Sequence, residues 1–75
     1  MPPAIGTKVV VIRRHHSLMP YAPFYFVNDI VYGSSPSRFY VAVHPDPNEK
    51  NEGWLFKPED IGIYQERQEK IQDDL

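Results

Sequence analysis

Along most of the chain the hydrophobic positions gather into short β-branched and aromatic runs separated by polar, Gly- and Pro-bearing stretches, with no helical spacing. Thr7-Lys-Val-Val-Val-Ile-Arg-Arg14 predicts a first strand. The next segment, His15 to Pro23, holds two prolines that prevent a helix and disfavour a central strand, so a long irregular loop is expected. Residues 24–32 predict strand two, Gly33-Ser-Ser-Pro-Ser37 a turn, and Arg38-Phe-Tyr-Val-Ala-Val-His44 strand three. Strict alternation places Phe39, Val41 and Val43 on one face of strand three. On strand two it groups Phe24, Phe26, Ile30 and Tyr32, with Asn28 interrupting, so Asn28-Asp29 marks a bulge or a tight turn. A polar loop covers 45–53, Trp54-Leu-Phe-Lys57 is a short strand, Pro58-Glu-Asp60 a turn of 3-10 type, and Ile61-Gly-Ile-Tyr64 the last strand.

From Gln65 the character changes to helix formers with little to bury. A stripe of Tyr64, Ile71 and Leu75 and the i,i+4 pair Glu66/Lys70 favour a short helix. Asp73 and Asp74 at its C-terminal end oppose one, so a short C-terminal helix or a disordered tail is expected over 65–75. The organisation that follows is an N-terminal arm (1–5), a β domain (6–64) and an acidic tail (65–75).

The order of these elements, and above all Trp54-Leu-Phe-Lys-Pro-Glu-Asp-Ile-Gly-Ile-Tyr64, resembles the SH3-like barrel superfold: an aromatic strand, a short acidic turn, then a brief apolar strand. The resemblance spans about residues 6–64 and implies an all-β, five-stranded SH3-like barrel. It is a likeness of architecture, and that superfold serves many functions. Peptide-binding SH3 domains carry an Ala-Leu-Tyr type motif and paired tryptophans, whereas here the first strand reads Val9-Val-Val-Ile12 and Trp54 stands alone. Tyr21, Tyr25, Tyr32 and Tyr40 offer material for an aromatic cage but form no recognisable pattern.

At 75 residues the chain is one domain, near the lower limit for a single hydrophobic core, and too short for a large enclosed cavity. With no cysteine there is no disulfide, thiolate nucleophile or zinc-thiolate site, which fits a reducing compartment; the cytoplasm is expected. Neither a signal-peptide pattern nor a membrane-length apolar run is present. Net charge is −2. Lys8, Arg13, Arg14 and Arg38 against Asp29 make residues 1–44 positive, while nine acids make residues 45–75 negative. The chain therefore lacks the overall basic excess of a dedicated nucleic-acid binder but has the makings of a local basic face.

Arg13-Arg-His-His16 is the most unusual cluster, readable as an anion contact or as a solvated strand end. A metal ion shared by His15, His16, His44 and Asp46 is disfavoured, because adjacent histidines in a strand point to opposite faces. Leu18, Met19, Pro20, Tyr21, Pro23 and Phe24 give the loop an apolar, aromatic stretch, suited either to a partner or to folding back over the core. Trp54 faces the same choice. No nucleophile elbow or Gly-rich phosphate loop occurs, and the serines and Glu59-Asp60 suit turn roles. The chain is expected not to be an enzyme and to need no cofactor or metal.

The expected function is a small protein–protein interaction module, an accessory subunit or a regulatory or inhibitory protein. Its expected contacts are Leu18, Met19, Tyr21, Phe24, Tyr25 and Trp54. The alternative is a nucleic-acid-binding barrel using Lys8, Arg13, Arg14 and Arg38, with His15 and His16 beside them. The sequence leaves homo-oligomerisation open; a symmetric assembly would create a site between subunits.

Overall fold

A computed structural model describes residues 1–35 and 37–65. The expected helix or tail beyond Gln65 lies outside the described residues. Five strands form in chain order: β1 (Lys8–Val11), β2 (Tyr25–Tyr32), β3 (Phe39–His44), β4 (Trp54–Phe56) and β5 (Ile61–Ile63). A 3-10 turn, Pro58–Asp60, joins β4 to β5. Pro58 opens that turn where its missing N–H costs nothing, and the Asp60 N–H closes it on the Lys57 carbonyl at 2.9 Å.

All pairings are antiparallel, in the order β4-β3-β2-β1-β5. The all-β, five-stranded expectation is met, but the ladder is an open sheet with β4 and β5 as its edges, not a closed barrel. Each edge strand has only three residues. An apolar groove of about 250 Å3 lies between β3 and β5, lined among others by Phe39, Val41, Ile61 and Ile63. The 3-10 turn ties this side together through its backbone: the Asp60 carbonyl accepts from Ile12 N at 2.8 Å and Arg13 N at 3.2 Å. Gly6, at φ +94°, turns the arm into β1 in a conformation that L side chains rarely adopt, and its N–H donates to Val27 O at 2.8 Å.

The core consists of Val9, Met19, Tyr25, Val27, Val41, Val43 and Phe56. Val41 and Val43 face inward as alternation requires, but β2 obeys a different phase from the straight count. Its register against β3 shifts between Val27 and Asp29, which makes Asn28 the extra residue of a bulge. One inserted residue moves the alternation by one position. Tyr25 and Val27 before the bulge therefore share the core side with Ile30 after it. The grouping of Phe24 and Phe26 with Ile30 is thus corrected. Phe24 and Phe26 are half-buried and pack on one another edge to face at 5.5 Å, and Phe24 meets Tyr64 at 4.7 Å.

The bulge has a second consequence. Asn28 Nδ2 donates to the carbonyls of Glu52 at 2.7 Å and Glu49 at 3.2 Å, so the polar 45–53 loop is drawn over the outer side of β3. There Ala42, between two core valines, is also buried at 6% exposure.

Candidate functional site

Tyr25 explains how the loop between β1 and β2 is shaped. Its ring is buried at 2% exposure, and its hydroxyl reaches back into the loop. That hydroxyl donates to Pro20 O at 2.6 Å and accepts from Ala22 N at 3.0 Å and Arg14 Nη1 at 3.2 Å. One donor and two lone pairs are thereby all used. Arg14 also donates to the Met19 carbonyl through Nη2, and Met19 N closes a turn on His16 O at 3.1 Å. Met19 itself is 3% exposed and is part of the core.

The apolar stretch is thus divided: part of it folds back over the core and part stays exposed. Met19 and Tyr25, expected as contacts, are buried and anchor the loop from inside, and Ala22 packs partly against the core. Leu18 at 91% and Tyr21 at 84% project into solvent. Tyr21 and Pro23 line a shallow groove of about 230 Å3 with Val10, Val11, Arg14, Ala22 and Tyr25. Ile12 is a further large apolar side chain left exposed. Phe24 lies between Phe26 and Tyr64 with the Lys8 ammonium 4.9 Å from its ring centre, a cation–π arrangement. Trp54 is half-buried at the edge of the core and stacks on His44 at 5.4 Å.

The basic residues of the first half do not share one face. Arg14 holds the loop and Lys8 sits over Phe24. Arg13 and His15 instead turn toward Asp60, a carboxylate that is 8% exposed as a residue: Arg13 Nε is 3.8 Å and His15 Nε2 3.2 Å from its oxygens. These two line a groove of about 320 Å3 with Tyr40, Leu55, Lys57 and Asp60. Arg38 lines a neighbouring groove of about 260 Å3, together with Ser37, Phe39, Tyr40, Lys57, Pro58 and Glu59. Tyr40 and Lys57 belong to both.

Adjacent histidines do not diverge here, because β1 ends at Val11 and neither residue lies in a strand. The rings of His15 and His16 are 5.1 Å apart, and both rest on Phe56, at 5.4 and 5.0 Å. His16 Nε2–H donates to the Leu55 carbonyl at 2.8 Å, which fixes that tautomer since a carbonyl only accepts. His44 Nδ1 accepts from Asp46 N at 3.0 Å. Among the described residues no group of three or more His, Asp or Glu side chains is placed to hold a metal ion. No helix there is long and apolar enough to cross a membrane.

Sequence reasoning missed Lys57 and Leu55 as surface groups beside Tyr40. A signal existed for Tyr40, which alternation places opposite Val41 in β3; nothing in the linear chain brings Lys57 or Arg13 to it. No family model matches the chain, and neither a curated protein nor a solved structure matches it significantly.

Proposed function

We propose that this chain is a small protein-docking module of SH3-like architecture, an accessory or regulatory subunit that binds a partner through Leu18 and Tyr21. The strand order, with a 3-10 turn before the last strand, supports the architectural half of this reading. One observation carries the functional half. A loop latched at Arg14, Met19, Pro20 and Ala22 holds two large apolar side chains almost wholly in solvent.

Such side chains forgo about 1.5–3 kcal/mol each of burial, which a partner would supply. Because the loop is already ordered, binding avoids much of the entropic cost that a mobile segment incurs. Phe24 and Trp54 lie half-buried and serve this reading as flanking contacts; Met19 and Tyr25 serve it as supports. The function is recognition rather than catalysis.

The test is recovery of a partner from native host lysate, after nuclease treatment, by tagged wild-type protein, by the L18A/Y21A double variant and by Ile63→Ala. Ile63 is an exposed apolar control elsewhere on the surface. A stoichiometric protein kept by wild type and Ile63→Ala, and lost by a still-folded L18A/Y21A, is the expected result. Equal recovery by all three removes the assignment.

A further inference from the structure

A second surface has chemistry of a different kind. The two grooves beside Tyr40 adjoin, with that ring and Lys57 lining both. Arg13 and His15 stand in one groove, Arg38 in the other, and Lys57 in both. Of the two acids present, Asp60 is drawn inward, with its side chain 11% exposed and engaged by His15 and Arg13. Glu59 lies in the second groove. Arg13 keeps 76% of its side chain exposed, since a 3.8 Å contact engages it only loosely. Tyr40 is 40% exposed.

We propose that these adjoining grooves bind single-stranded nucleic acid, with Arg13, Arg38 and Lys57 on phosphates and Tyr40 as the stacking platform for a base. Guanidinium groups match phosphate oxygens bidentately, and Lys57 adds a point charge between them. What distinguishes a polynucleotide from an acidic peptide is the aromatic ring set between cations on either side. A strand alternates phosphates with planar bases, so cation, ring and cation meet its repeat, and stacking tolerates any base. The surface is separate from Leu18 and Tyr21, and it draws in Lys57 and Tyr40 while leaving Lys8 and Arg14 to other contacts.

The experiment is fluorescence anisotropy of labelled oligothymidylate, and of a labelled oligoglutamate peptide, against the full chain at two salt concentrations. Three neutralised phosphates predict a slope of about −2 in log affinity against log salt, hence about 20-fold weaker binding between about 50 and about 200 mM. Tyr40→Leu, which keeps an apolar side chain but no π face, should weaken binding about tenfold and leave the slope unchanged. Lys57→Gln should weaken binding and flatten the slope by about 0.7. L18A/Y21A should bind the oligonucleotide as wild type does, which separates this surface from the docking loop. Absence of oligonucleotide binding at the lower salt would overturn the proposal. Tighter binding of the peptide, or full affinity in both folded Tyr40→Leu and Lys57→Gln, would overturn it equally.

Discussion

The hydroxyl of Tyr25, buried in the core, donates to the carbonyl oxygen of Pro20 in the surface loop at 2.6 Å. The Tyr25 hydroxyl oxygen in turn accepts from Ala22 N and Arg14 Nη1. A core residue thus sets the shape of the loop that carries the exposed Leu18 and Tyr21.

Tyr25→Phe keeps the buried ring and removes every one of these bonds. We expect a loss of about 1–3 kcal/mol, because polar groups around the vanished hydroxyl lose their partner. Urea denaturation measures the loss. Amide exchange should quicken over residues 18–23 more than in β3, since only the loop loses its latch.

Leu18 and Met19 are neighbours with opposite fates, at 91% and 3% exposure. Met19→Ala should cost about 2–5 kcal/mol through the cavity it opens. Leu18→Ala should leave stability within about 0.5 kcal/mol. Paired denaturation curves check both, and similar midpoints for the two variants would contradict the division of roles within the loop.

Gly53 closes the long polar loop against β3. A Cβ there would stand 2.9 Å from Asn28 Oδ1, 3.1 Å from Val43 O and 3.3 Å from Ala42 Cβ. The backbone oxygen cannot swing away, so Gly53→Ala should destabilise by about 1–3 kcal/mol. A thermal melt no lower than wild type would show that the loop has room to give.

Asn28→Ala removes both bonds to the Glu49 and Glu52 carbonyls. The expected loss is about 1 kcal/mol, since these carbonyls lie near solvent and recover water as a partner. Limited proteolysis should cut faster within 45–53 while the β1–β2 loop keeps its resistance, because Tyr25 holds that loop independently.

The strands and the turn at Pro58–Asp60 were legible in the chain, because each follows from local rules, β-branched runs and proline chemistry. The amide interrupting the alternation at Asn28-Asp29 marked a break there but left a bulge and a tight turn both open, and the pairing with β3 decided for the bulge. The phase of β2 was not legible in a straight count. Whether Phe24 or Tyr25 faces the core depends on the bulge acting together with the pairing to β3, and that pairing is a long-range choice. The same reason hid the division of the loop. Leu18 and Met19 are equally apolar as letters, and only the assembled core, which takes in Met19 and leaves Leu18 outside, tells them apart.

By itself, then, the sequence determined an all-β chain with a stiff aromatic loop, since backbone preferences and side-chain alternation are local properties. The tertiary structure alone decided that Arg14 supports that loop, that Arg13, Arg38 and Lys57 meet around Tyr40, and that the sheet stays open between β4 and β5. These outcomes depend on how distant segments share a limited volume, a quantity that no single stretch of the chain contains.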